Sequence, residues 1–359
     1  MNRHVFIIAE AGVNHNGSVE LAKKLIDAAV QAGVDAVKFQ TFSADSLVSG
    51  DAPKAEYQRV ASGLQESQYK MLKKLEMDEA MHNTLMHYST YSGIEFLSTP
   101  FDENSLDLLS NRLGLNRIKI PSGEITNAPF LLKIARTGKQ VILSTGMSTL
   151  GEVETALGVL AFGYLGGKSK PSPHAFARAF ASTGGHRKLQ QKVTLLHCTT
   201  EYPAPFEDVN LQAMDTLRKA FGLPVGYSDH TDGIAVAIAA VARGAVLVEK
   251  HLTLDKRLPG PDHKASLEPD ELTVLVRSIR QVEQALGTGL KVPATTEIKN
   301  RLVARKSLVA TQDIGRGEPF SESNLSVKRP GDGLPPLRYW DMLGRKATKN
   351  YCKDERILE

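Results

Sequence analysis

Cysteine is scarce in this chain. Cys198 and Cys352 are the only two in 359 residues, too few for the disulfide framework of a small secreted domain. A reducing cytoplasm is the expected setting. No run approaches the roughly 18 apolar residues of a membrane span. The start, MNRHVFIIAEAG, lacks the apolar length and cleavage site of a secretory leader. Charge of one sign is also short: 44 basic against 40 acidic side chains leave +4. That excess argues against nucleic acid as the main partner and suits an anionic small molecule, which needs only a few local cations. Short-period repeats and low-complexity tracts are absent.

What is present is a regular alternation. Apolar runs of strand length fall at His4–Gly12, Asp35–Thr41, Ile94–Thr99, Arg117–Ser122, Gln140–Gly146, Lys192–Thr199, Pro224–His230 and Val246–Thr253, and helix-period segments separate them. Those segments are Ser18–Ala32, Glu66–Tyr91, Asn104–Leu113, Pro129–Thr137, Leu150–Tyr164, Leu211–Phe221, Gly233–Arg243 and Pro269–Leu286. Eight βα units with near-continuous apolar strands predict an α/β fold, a (β/α)8 TIM barrel. A doubly wound open sheet is the rival, but it normally has fewer strands. The first turn, AEAGVNHNG, is also not a dinucleotide-binding G-x-G-x-x-G.

Two insertions interrupt the pattern. Ser43–Gln65 reads as a polar loop, and Gly163–Gln191, rich in Gly, Ser, Pro and Arg, reads as a surface excursion. The barrel is expected over 1–286, a linker over 287–301 and a small β-rich module over 302–359. A module of that size is small for an independent core, so it is expected to lean on the barrel or on a second subunit.

In such a barrel the chemistry sits at the C-terminal rim of the strands. Glu10 shares parity with Phe6 and Ile8 and should point inward. Lys38 and Gln40 end the second strand, Thr99 the third, Lys119 and Ser122 the fourth, with Glu124 just beyond. Ser144 ends the fifth and Thr200 the sixth. Two cations and several hydroxyls around one rim could hold a phosphate and a carboxylate. His230 and His251, 21 residues apart, end neighbouring strands, and Ser228 and Glu249 share their parities. Two imidazoles at that separation can share a divalent ion such as manganese, iron or zinc. Satisfied rim histidines are the competing reading, and Glu249 and Asp229 are candidate supporting partners.

The segments AEAGVNHNGS, VKFQTF, FLSTPFD, KIPSGEITN, ILSTGM, LLHCTTEYPAPFEDVNL, GYSDHT, EKHLTLD, GPDHKASLEP, ARKSLVA and VKRPGDG, in this order, resemble the sialic acid synthase family, with its N-acetylneuraminate, legionaminate and pseudaminate branches. The resemblance covers essentially the whole chain. It implies a TIM barrel followed by an antifreeze-like (SAF) domain. It also implies condensation of phosphoenolpyruvate with an N-acylmannosamine-type sugar, giving a nine-carbon 2-keto acid and phosphate. By resemblance, His230 and His251 match the ligands of a divalent metal, usually manganese, with magnesium or cobalt as alternatives. Glu10 matches the essential carboxylate. Lys38, Gln40, Thr99, Lys119, Ser122, Ser144 and Ser228 match positions around phosphoenolpyruvate. Thr200 stands where some relatives have Asn. Glu124, Tyr202 and Asp262 match positions near the sugar. Arg329 matches a SAF-domain arginine that reaches a neighbouring subunit's site, which implies a domain-swapped homodimer.

The implied chemistry is attack of the enol carbon on a metal-polarised aldehyde, addition of water at C2 with Glu10 as general base, and loss of phosphate by C–O cleavage. GEITN and TTEYPAPF lean towards the legionaminate branch. Outside the family, a metal-dependent barrel aldolase or hydrolase and a non-catalytic carbohydrate-binding protein are the rivals.

Overall fold

The computed structural model describes residues 4–50, 52–54, 67–166 and 169–358. They fall into two compact units, Met1–Gly287 and Thr288–Glu359.

In the larger unit eight strands run parallel: β1 Phe6–Gly12, β2 Ala36–Thr41, β3 Glu95–Pro100, β4 Arg117–Ile120, β5 Gln140–Ser144, β6 Val193–His197, β7 Val225–Asp229 and β8 Leu247–His251. The hydrogen-bonded order is β3-β2-β1-β8-β7-β6-β5-β4. Joining β1 to β8 rolls the sheet into a barrel, and β3 and β4 lie side by side where the ladder stops. Both strand faces are apolar because both are covered. Ile8, Ala36, Leu97, Ile142, Leu196 and Leu247 fill the interior. Ile7, Val37, Phe39, Ile118 and Val248 pack outward against the helices.

The helices begin and end where local chemistry dictates. Ser18 accepts a hydrogen bond from the Leu21 amide to open Val19–Ala32, and Gly33, at φ 78°, closes it. Two sequence expectations need correction. The single helix expected over Glu66–Tyr91 is two, Gln68–Lys73 and Glu79–Tyr91, because Asp78 caps a new start by accepting from the Met81 amide; Glu66 itself lies outside the described residues. The excursion Gly163–Gln191 is largely helical, as Pro173–Ala181 and Thr183–Lys192. Ser172 and Ser182 cap those helices, and Ala175, Ala179 and Leu189 are buried in the main core; residues 167–168 lie outside the described set. The linker region carries the helix Thr295–Ala304, opened by Glu297, which accepts from the Ala294 amide. Within Ser43–Gln65 the short helix Ala44–Leu47 forms, while residues 51 and 55–65 lie outside the described set.

The smaller unit has its own core. Strands β9 Ser307–Ala310 and β10 Leu325–Lys328 pair antiparallel. Leu308, Ile314, Phe320, Leu325, Tyr351 and Ile357 cluster around them. Among the described residues no helix is long and apolar enough to cross a membrane.

Candidate active site

The strand register brings the charged rim residues together. Glu10 is opposite Lys38 on one side and His251 on the other. The β1–β2 register slips between Glu10 and Gly12, a bulge of the kind that re-aims side chains at barrel rims. Gly12 has φ 53°, and a Cβ there would lie 3.3 Å from Glu10 Oε1, so the bulge requires glycine.

These residues line a cavity of about 350 Å³ at the C-terminal ends of the strands. Glu10, Lys38, Gln40, Thr99, Lys119 and Ser122 line one part of it. Ser144, Thr200, Tyr202, Ser228 and Asp262 line another, together with His230 and His251. Glu124 is not among the lining residues; its carboxylate accepts from Asn127 Nδ2 at 2.7 Å. Arg329 lies exposed in the smaller unit, preceding a cis proline. A wider depression of about 790 Å³ opens at the N-terminal ends of β3–β5, but it holds none of the predicted site residues.

Two buried carboxylates face two buried ammonium groups. Lys38 Nζ is paired with Glu10, donates to Thr99 Oγ1 at 3.1 Å and lies 3.8 Å from Glu249 Oε2. Lys119 Nζ donates to Glu249 Oε1 at 2.7 Å, an atom that also accepts from Ser228 Oγ at 3.1 Å. Gln40 Nε2 donates to Glu10 Oε1 at 3.2 Å. Burial favours the protonated form of both carboxyls, but the balance differs. Glu249 is held down to about 2 because both lysines outweigh its desolvation. Glu10 is raised, since burial and the Glu249 charge exceed what Lys38 supplies. For Lys38, burial alone would lower the value, but the two carboxylates raise it. Asp262 is pushed up to about 7 by burial, with a further contribution from the Glu10 charge.

The two histidines stand with ring centroids 5.7 Å apart. His230 Nδ1 is 2.6 Å from the Thr199 carbonyl, to which it donates as the neutral tautomer. Its value falls to about 4, chiefly through burial. His251 falls well below the ordinary imidazole range, through burial and the neighbouring His230 and Lys38. Its Nδ1 is buried without a hydrogen-bond partner. Two neutral imidazoles, one with an orphaned buried nitrogen, fit a divalent cation. Among the described residues no cluster of three or more His, Cys, Asp or Glu groups is arranged around a metal position. Water or substrate oxygens would therefore complete the coordination.

At the ends of β4 and β5, Ser122 Oγ accepts from the Gly146 amide at 3.0 Å. A Cβ at Gly146 would sit 2.4 Å from Thr200 Oγ1 and 2.8 Å from Ser122 Oγ. The backbone can come this close to the hydroxyls only because residue 146 is glycine.

Sequence reasoning gave Glu249 a supporting place; the structure puts it in the cavity lining. Its parity with His251 was the available signal. An apolar wall of Val13, Phe42, Leu47, Val48, Met71 and Leu72 was missed altogether. It is assembled from separate short segments, and no single motif announces it.

The sequence matches the NeuB family over residues 25–291 and the SAF domain over residues 305–358. It is 53% identical over 357 residues to N,N'-diacetyllegionaminic acid synthase of Campylobacter jejuni, covering 99% of this chain and 100% of that protein. The enzyme of the same name from Legionella pneumophila is 47% identical over 353 residues, covering 98% of this chain and 93% of that one. Among solved structures, the N-acetylneuraminic acid (sialic acid) synthetase of Leptospira borgpetersenii in complex with citrate aligns with a TM-score of 0.67 at 33% identity, covering 83% of this chain and 90% of that one.

Proposed function

Since the chain belongs to the NeuB family of nonulosonate synthases and carries a SAF domain, we propose that it condenses phosphoenolpyruvate with 2,4-diacetamido-2,4,6-trideoxymannose. The products are N,N'-diacetyllegionaminate and inorganic phosphate. The observation that carries this choice of acceptor is the apolar wall, Val13, Phe42, Leu47, Val48, Met71 and Leu72. A 6-deoxy sugar with a second acetamido group presents methyl groups to such a surface. N-acetylmannosamine presents hydroxyls there, and each hydroxyl left unpaired costs about 1–3 kcal/mol. The two legionaminate synthases among the relatives support the same choice.

The residues divide the work. Lys38 and Lys119 neutralise the carboxylate and phosphate of phosphoenolpyruvate, drawing on cations that Glu10 and Glu249 balance in the free enzyme. Gln40, Thr99, Ser122, Ser144, Thr200 and Ser228 supply hydrogen bonds to the same anion. His230 and His251 hold the divalent ion, with manganese the preferred candidate. When bound, that ion supplies Lewis-acid polarisation of the open-chain sugar aldehyde. C3 of phosphoenolpyruvate joins the aldehyde carbon, leaving positive charge at C2. Water adds at C2, and Glu10, whose raised pKa makes it a stronger base, accepts its proton. The C2 hydroxyl then gives up its remaining proton to form the keto group as phosphate leaves with cleavage of its C2–O bond, so that of the water's two protons one ends on the sugar oxygen that was the aldehyde's and the other on phosphate.

Tyr202 and Asp262 contact the sugar from inside the cavity, and Glu124 does so from its edge. Arg329 reaches the N-acyl group of a sugar bound in the partner barrel, so the enzyme works as a homodimer with exchanged SAF domains, in the cytoplasm. A lid of this kind keeps bulk water from the reacting charges. The test is steady-state turnover of the manganese-loaded enzyme with each sugar, read as phosphate release. The trideoxy sugar is expected to show a kcat/KM at least tenfold higher; a preference for N-acetylmannosamine would refute the acceptor assignment.

A further inference from the structure

Immediately before each of the two histidines stands one member of a buried ion pair that the chemistry above does not use. Asp229 precedes His230 and Lys250 precedes His251, and the two are opposite each other in the β7–β8 register. Lys250 Nζ lies 2.9 Å from Asp229 Oδ2, with both side chains 0% exposed. Neither residue lines the cavity. Alternation along a strand turns them to the face opposite Ser228 and Glu249.

Burying two charges is expensive, and well-packed apolar residues often stabilise a fold as well. The further contacts indicate what the pair does. Asp229 Oδ1 accepts from the Thr231 amide at 3.0 Å and from Thr231 Oγ1 at 2.8 Å. The carboxylate thereby closes a loop around the His230 peptide. Lys250 Nζ also donates to the Thr231 carbonyl at 2.6 Å. The backbone on both sides of His230 is thus tied to the residue that sets the position of His251.

We propose that Asp229, Lys250 and Thr231 form a positioning clamp that fixes the spacing of the two imidazoles and thereby sets the affinity of this site for a divalent cation. The inference rests on the reading of His230 and His251 as metal ligands. Partners that hydrogen-bond a ligating imidazole directly change metal affinity about 10–100-fold when removed, and a clamp that acts through the backbone is expected at the lower end of that range.

The test is titration of the full-length metal-free protein with Mn2+, followed by calorimetry or by the electron paramagnetic resonance of the free ion. The wild type is compared with the double variant Asp229→Asn/Lys250→Met, which cuts the link between strands without stranding a buried charge. Thr231→Val, which removes one hydroxyl, serves as a milder second variant. The double variant is expected to bind Mn2+ at least tenfold more weakly and Thr231→Val a few-fold more weakly. Phosphoenolpyruvate affinity, set by Lys38 and Lys119, is expected to hold within about twofold in both. Wild-type Mn2+ affinity in the double variant, or in Thr231→Val should the double variant not fold, would overturn the clamp. Parallel loss of Mn2+ and phosphoenolpyruvate binding would also overturn it, since that marks general loosening. Absence of wild-type Mn2+ binding that His230→Ala abolishes would instead sink the metal reading itself.

Discussion

Replacing Asp262 with asparagine is expected to stabilise the metal-free enzyme at pH 8 and to leave its stability nearly unchanged at pH 4. Asp262 is 8% exposed, and among the described residues its carboxylate forms no ion pair. Burial, reinforced by the Glu10 charge, moves it from an ordinary 3.8 to about 7. Between those values the folded protein holds a proton that the unfolded chain has released. Stability therefore falls as pH rises from about 4 to about 7. The span corresponds to roughly 4 kcal/mol. Asparagine keeps the shape and removes the charge, so it removes that slope. For a unit of this size the gain at pH 8 is on the order of 5–10 °C in unfolding midpoint. Differential scanning calorimetry of both proteins from pH 4 to 8.5 reads it directly, because groups unaffected by the substitution cancel in the difference. A difference that does not vary with pH would refute the reasoning. So would an asparagine variant less stable at pH 8, which would mean that Asp262 is ionised and paired in the folded state.

Two further outcomes follow from the site. Glu10→Ala is expected to lower kcat by about 10²–10⁴-fold while manganese affinity stays near wild type, because the imidazoles remain; loss of both together in a metal-content assay would assign Glu10 to the metal instead. Arg329→Ala is expected to raise KM for the sugar with little change in KM for phosphoenolpyruvate, and an equal rise in both would remove Arg329 from the acceptor's side of the reaction.

Much of the barrel was legible because parallel strands buried on both faces must be apolar on both. The eight runs from His4–Gly12 to Val246–Thr253 could then be counted directly, and each overlaps one observed strand. Parity supplied more. It placed Glu10 among the inward positions with Ile8, and it set His230 and His251 on adjacent strand ends. Composition misled where tertiary burial decides. Pro173–Ala181 looks like part of a Gly- and Ser-rich loop, yet Ala175 and Ala179 recur at helical spacing and are buried in the main core. The break at Asp78 escaped notice because a cap is a single side chain inside an otherwise continuous helical period. The opposite signs of the shifts at Glu10 and Glu249 were not readable either. They depend on how many lysines reach each carboxylate, both for Glu249 and chiefly Lys38 for Glu10, which strand spacing alone does not fix.

The most direct test of the account is turnover of phosphoenolpyruvate and the trideoxy sugar in ¹⁸O-enriched water, with both products analysed by mass spectrometry as soon as they form. Water attack at C2 predicts ¹⁸O in the new keto acid and unlabelled inorganic phosphate. Label in the phosphate would mean cleavage of the P–O bond, and Glu10 could not then be the base that directs water to carbon.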